Sequence, residues 1–175
     1  LLVVGSTTTA MGGSELALAR YNADGTIDTT FDGDGFATAG LNLNPDEGFS
    51  VKTQADGKIV VAGYGTTSPN QQVILVARFD ANGSLDTTFA GTGIVTTDVG
   101  VAVGPPPVLN APLEAAQSLP IQPDGRVLVA GFAPTAAGGQ DIVLVRYNGE
   151  GSLDDTFVTG GMVTTPVAPG TLPDP

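Results

Sequence analysis

The stretch GSLDTTFAGTGIVTT, residues 83–97, decides the fold, because the chain writes it three times. The earlier copy is GTIDTTFDGDGFATA, residues 25–39, and the later one is GSLDDTFVTGGMVTT, residues 151–165. Aligning Phe31, Phe89 and Phe157 gives offsets of 58 and 68 residues (89 − 31 = 58; 157 − 89 = 68). The same offsets relate Arg20, Arg78 and Arg146 within ALARYN, LVARFD and VLVRYN, and Gly5, Gly63 and Gly131 within LVVGS, VVAGY and LVAGF. Three landmarks in one register mean duplication, and a repeat settles architecture before any single element does. The longer second interval is taken up mainly by VAVGPPPVLNAP, residues 101–112, which reads as a proline-rich surface insertion.

Each full unit divides at turn signals into four strands. The first is GFATAG, GIVTTDV or GMVTTPV, and the second is EGFSVKTQ or EAAQSLPIQ. The third is KIVVAGY or RVLVAGF, and the fourth is VILVARFD or DIVLVRYN. QADGK and QPDGR join the second strand to the third. Asp-Gly between apolar runs predicts a type I′ hairpin, in which glycine supplies positive φ. NADGT, DANGS and NGEGS close the fourth strand. No segment sustains a 3.6-residue period, so no helix of consequence is expected. The third and fourth strands are apolar on both faces, at Ile59 to Ala62 and Val73 to Ala77, as strands covered on both sides are. The first two alternate more, with Phe49 and Val51 against Ser50 and Lys52. The expected fold is all-β: a propeller-like array of four-stranded antiparallel blades. Residues 1–165 hold the repeats, divided as a partial unit 1–33, units 34–91 and 92–159, and residues 160–165 as the first strand of a next unit. Residues 166–175 form a proline-rich tail that reads as an extended linker.

Composition narrows the function classes. The net charge is −12, with only six basic residues among 175, so no basic face exists to neutralise a nucleic acid or bind an anionic membrane. Hydrophobic residues make up 41% and come in short blocks, unlike a disordered chain. Cysteine and histidine are absent, which excludes a disulfide framework, thiolate or imidazole metal sites, and Ser–His or Cys–His catalysis. No run approaches the ~18 apolar residues of a membrane span. The missing initiating Met suggests a processed product or part of something longer.

The motif R-[YF]-[ND]-x-[DNE]-G-[ST]-[IL]-D-[TD]-T-F, followed by G-x-G and the VTT strand, resembles the delta-60 repeat family. So does Q-x-D-G-[KR]-[IV]-[VL]-V-A-G-[YF]. The resemblance covers nearly the whole chain apart from the insertion and the tail. It departs at Gly160-Gly161, where G-x-G is replaced. It implies propeller-like blades in a large bacterial protein that is extracellular, on the cell surface or periplasmic, and it implies no particular reaction.

Within the repeated stretch, Gly83 and Ser84 close a turn and Asp86 accepts backbone N–H groups, as in Asx turns. Phe89 fills the seam between units, Gly91 and Gly93 bend the chain, and the whole reads as an inter-blade connector. A buried or half-buried pair between the recurring arginines and Asp28, Asp86 and Asp154 is expected.

Among candidate sites, Asp28, Asp32 and Asp34 in DTTFDGDG offer oxygens to calcium. An EF-hand would need Glu at the twelfth loop position, which is Ala39 or Leu43 here, and the other copies replace Asp32 and Asp34. Lys52 or Lys58 would be needed for a Ser–Lys mechanism. Asp46 with Glu47, or Asp154 with Asp155, are the candidate carboxylate pairs of a glycosidase. Solvated turn acids are the competing explanation. Tyr21, Phe79 and Tyr147 share one position, and their interchange points to packing rather than stacking on a ligand. Asn82-Gly83-Ser84 fits a glycosylation sequon but lies in a turn, and Gly12-Gly13 and Gly138-Gly139 read as turns, not phosphate cradles. No catalytic residue and no cofactor is expected.

Propellers close with roughly four to eight blades, so three units do not close a ring alone. Open strand edges are a liability unless covered. A protein partner or self-association through open blade edges is therefore expected. The favoured function is a non-enzymatic structural or protein-interaction module. The alternatives are a carbohydrate- or calcium-dependent binding propeller and a fragment of a propeller hydrolase.

Overall fold

The computed structural model describes residues 1–10, 12–41, 45–68, 71–99, 115–134 and 140–167. The insertion at 101–112, the pair Gly138-Gly139, Leu43 and the tail from 168 onward lie outside them. The described strands are β1 (Leu2–Thr8), β2 (Ser14–Arg20), β3 (Phe36–Ala39), β4 (Glu47–Thr53), β5 (Ile59–Ser68), β6 (Gln71–Phe79), β7 (Ile94–Thr97), β8 (Ala115–Ser118), β9 (Val127–Pro134), β10 (Gln140–Tyr147) and β11 (Met162–Thr165). Among the described residues there is no α-helix, only a 3-10 turn over Thr159–Gly161. The strands form three antiparallel meanders in the orders β1-β2-β3, β4-β5-β6-β7 and β8-β9-β10-β11. The all-β blade architecture is thus as expected.

The phase of the blades differs from the sequence reading. The strand 36–39 does not open a unit with β4; it pairs with β2, from Leu16 opposite Ala39 to Ala19 opposite Phe36. Likewise β7 pairs with β6, and β11 with β10. Sheets therefore change between 39 and 47 and between 97 and 115, rather than at 34 and 92. Residues 160–165 complete the third sheet instead of beginning a fourth. The repeated stretch is accordingly a link inside one sheet, not a connector between sheets. The physical reason is local. Arg20 N–H donates to Gly35 O and Arg78 N–H to Gly93 O, tying the far end of each link back to the strand it left. The change of sheet happens at residues 40–46, where buried Asp46 staples the passage. Its backbone N–H donates to Ser14 O, and its carboxylate accepts from Leu41 N–H and Thr66 N–H.

The middle sheet explains the doubly apolar strands. Ile59, Val61, Leu75, Ala77 and Phe79 face the first sheet and pack with Leu16, Leu18 and Phe31. Val60, Ala62, Ile74 and Val76 point the other way, onto Val127, Val129, Val143, Val145 and Tyr147 of the third sheet. Successive side chains of a strand alternate between faces, so a strand between two seams must be apolar at every position.

Two local expectations change. The Asp-Gly turns are not type I′. Gly57 N–H donates to Gln54 O and Gln54 N–H to Lys58 O, a three-residue turn in which Gly57 takes positive φ (89°). Asp56 Oδ1 accepts from Lys58 N–H, which favours this closure. Phe49 is also not a core residue. The β4–β5 register slips between Gly48 and Ser50, leaving Phe49 as the extra residue of a bulge. It is 39% exposed, with its ring centroid 5.7 Å from that of Tyr64.

Candidate functional site: the recurrent seam clasp

The residues that recur most strictly assemble into one constellation per unit. In the middle unit, Arg78 at the end of β6 donates from Nε to Asp86 Oδ2 at 2.6 Å and from Nη2 to Thr88 Oγ1 at 3.2 Å. Its guanidinium carbon lies 4.6 Å from the centroid of the Phe89 ring, a cation–π distance. Asp86 Oδ1 accepts from the backbone N–H and hydroxyl of Thr88, the Asx turn expected from the sequence. Arg20 with Asp28, Thr30 and Phe31 repeats the arrangement, and so does Arg146 with Asp154, Thr156 and Phe157. The expected Arg–Asp pairs are therefore present in all three units. Phe31 and Phe89 are fully buried in the seams, while Phe157 is half-buried.

The first two clasps also reach the following unit. Arg20 Nη1 donates to Ala81 O at 2.6 Å, and Arg78 Nη1 to Gly149 O at 2.6 Å. Asp32 N–H donates to Asn82 O and Ala90 N–H to Glu150 O, at 2.6 and 2.7 Å. Asp32, Ala90 and Val158 share this position and all take positive φ. That conformation is costly for residues with a Cβ, and here it turns an N–H out of the sheet toward its neighbour. The link inside one sheet thus carries the polar bond between sheets.

A second cation escaped the sequence reading. Lys58 Nζ lies 2.9 Å from Asp80 and 2.8 Å from Asp86. Arg126, at the matching position, pairs with Asp124, and its Nε lies 2.7 Å from Asp154 Oδ2, a charge contact outside hydrogen-bond geometry. The signal was the K/R that ends the Q-x-D-G-[KR] turn in the same register as the other landmarks. For Asp86, burial alone would raise the carboxyl pKa, but hydrogen bonds from Lys58, Thr88 and Arg78 hold it far below the usual carboxylate range. For Asp154, the Thr156 hydroxyl leads, joined by the charges of Arg146 and Arg126, and the carboxyl is held down at about 2. The bond to Asp86 raises Lys58, opposite to what a catalytic base needs.

The other candidates fall into separate local roles. Asp28 belongs to the first clasp. Asp34 Oδ1 accepts from Phe36 N–H, and Asp32 contributes its backbone N–H to the seam. Among the described residues no three acidic side chains gather to hold a metal ion. Of the candidate carboxylate pairs, Asp46 is committed to backbone N–H groups and Asp154 to its clasp, while Asp155 is exposed. Phe79 and Tyr147 are buried, the latter with its hydroxyl 2.6 Å from Thr97 Oγ1. Asn82 Oδ1 accepts from Ser84 N–H and Oγ, so the sequon does form a turn. Among the described residues no helix is long and apolar enough to cross a membrane.

A family model described as a domain of unknown function (DUF5122), beta-propeller, matches residues 1–31, 54–89 and 122–157. Each matched segment ends on the clasp, at Phe31, Phe89 or Phe157. Curated proteins yield no match to the chain.

Proposed function

The chain belongs to the DUF5122 beta-propeller domain family, and we propose that it is a non-enzymatic structural and protein-interaction module of a secreted or surface-attached bacterial protein. One observation carries the reading. The charged side chains that recur in every unit are engaged structurally: each Arg bonds to the Asp and Thr of its own clasp, and Arg20 and Arg78 also donate to the following sheet. A fold of this kind licenses no reaction by itself, so function has to be argued from side chains, and these side chains build seams. The extracellular or cell-surface setting rests on the delta-60 resemblance of the repeat motifs and on the low basic content.

The test is a panel of glycoside, ester and phosphoester substrates, run beside thermal melts with calcium and with chelator. The expected result is no turnover and one melting temperature in both solutions. Turnover lost in Asp155→Asn or Glu47→Gln at unchanged melting temperature would overturn the non-enzymatic reading. A calcium-dependent rise lost in Asp34→Asn would establish the binding alternative. Fractionation of the producing cells checks the setting, and a purely cytoplasmic protein would overturn it.

A further inference from the structure

The turns that plug the seams hold both Asn-Gly steps of the chain, Asn82-Gly83 and Asn148-Gly149. Glycine leaves the backbone nitrogen after an asparagine unshielded, so that nitrogen can reach the side-chain amide. From the geometry of the two turns we infer that Asn148 is a site of spontaneous deamidation, and that its isoaspartyl product loosens the seam between the second and third sheets, where Arg78 is clasped.

In this reaction the backbone nitrogen of Gly149 gives up its proton and forms a bond to Asn148 Cγ. The Cγ–Nδ2 bond breaks, the amide nitrogen leaves as ammonia with that proton, and a succinimide ring closes. Water then opens the ring at either carbonyl and leaves an aspartyl or an isoaspartyl residue at position 148. One water is taken up and one ammonia released, with no change of oxidation state.

The turn favours the first step. Gly149 is exposed, and its N–H has no acceptor among the described residues, so solvent base can take the proton. Asn148 Oδ1 accepts from Glu150 N–H at 3.0 Å and Ser152 N–H at 3.1 Å. Both dipoles point at the oxygen that gains negative charge as the nitrogen attacks. The open N–H belongs to the turn and not to the end of the array. In the middle unit, which has a neighbour on each face, Ala81 N–H at the matching position also has no acceptor among the described residues. Asn82 gives the contrast. Its Oδ1 accepts from Ser84 N–H and Oγ, but Gly83 N–H donates to Asp80 O at 3.0 Å. A proton held by a carbonyl is harder to remove.

The same turn carries contacts across the seam. Gly149 O receives Arg78 Nη1 at 2.6 Å, Glu150 O receives Ala90 N–H at 2.7 Å, and Gly151 lies against the Phe89 ring. An isoaspartyl residue inserts a methylene into the main chain just before Gly149 and displaces all of them. The aspartyl product leaves the chain length unchanged. Asp80 already occupies the matching position of the middle unit, where its N–H donates to Ser84 O as Asn148 N–H does to Ser152 O.

Incubation of the purified chain in mildly alkaline buffer, followed by peptide mapping with mass spectrometry, tests the site. In the folded chain position 148 should deamidate about tenfold faster than position 82, a difference of about 1.4 kcal/mol in barrier. In concentrated urea the two rates should converge. Gly149→Ala copies Ala81, and a Cβ there meets nothing within 4 Å, so it should keep the melting temperature while slowing the reaction about tenfold. The isoaspartyl fraction, separated by chromatography, should melt below the unreacted chain, whereas Asn148→Asp should melt with it. Equal rates at 82 and 148 in the folded chain, or a position 148 that reacts only in urea, overturn the assignment of the site. An isoaspartyl fraction that melts like Asn148→Asp overturns its link to the seam.

Discussion

At the scale of the residue, the clasp arginines are chemically identical and differ in burial. Arg78 and Asp86 are almost wholly enclosed, with side chains 7% and 3% exposed, whereas Arg20 and Asp28 remain 25% and 21% exposed. Breaking a buried pair strands a charge, at about 3 kcal/mol even with Lys58 left to share Asp86. Breaking the more exposed pair costs less, because water screens both charges. Arg78→Met and Arg20→Met both keep the aliphatic stem over the Phe ring, so urea melts of the two should separate by that difference. Equal losses would mean that burial is not what gives the pair its weight. The carboxylates predict a pH dependence as well. Asp154 titrates at about 2 in the folded chain against an ordinary 3.8, and Asp86 is depressed in the same direction. A depressed carboxylate stabilises the fold above its unfolded pKa and loses that contribution as pH falls through its folded one. The melting temperature should therefore drop between pH 3.8 and about 2, and Asp154→Asn should be less stable at neutral pH but flatter across that window. The pairing itself was legible, because Arg and Asp kept one spacing through three copies. The second cation was harder to see, since Lys58 and Arg126 differ in type.

At the scale of the element, the recurring glycine of VVAGY and LVAGF has a cause that only the paired strand reveals. Strands β4 and β8 each bulge, at Phe49 and Gln117, and the bulge drives a carbonyl into the neighbouring strand. A Cβ on Gly63 would collide with Glu47 O, and one on Gly131 with Ala115 O. At Gly5 the same position is open, because β1 has no such strand beside it among the described residues. Gly63→Ala should cost about 3 kcal/mol through backbone displacement, while Gly5→Ala should stay within about 0.5 kcal/mol. Chemical denaturation of both checks this, and a tolerated Gly63→Ala would argue against the bulge. Such contacts explain where sequence reading stopped. Period and turn signals located every strand, yet a bulge leaves the apolar pattern almost intact, so Phe49 read as core. The phase of the sheets was hidden for a related reason. A link of fourteen residues between strands (residues 80–93) looks long enough to leave a sheet, and the bonds from Arg78 N–H to Gly93 O and from Asp86 N–H to Arg78 O return it.

At the scale of the whole molecule, the described sheets form a series, and the middle one is covered on both faces. Stability in such arrays approximates a sum of unit terms and nearest-neighbour seams. The first seam is built on Leu75 and Ala77, the second on Ile74 and Val76, so neighbouring residues of one strand serve different seams. That separation permits a test by substitution within β6. Val76→Ala removes two methyl groups from the second seam, a loss of about 1 to 2 kcal/mol, and leaves the first untouched. Hydrogen exchange read by mass spectrometry should then show faster exchange across β8 to β11 and unchanged exchange in β1 to β3. Leu75→Ala should do the reverse, loosening the first sheet and sparing the third. If either variant instead accelerates all three sheets equally, the array unfolds as one cooperative block, and the seams between its sheets are stronger than the sheets themselves.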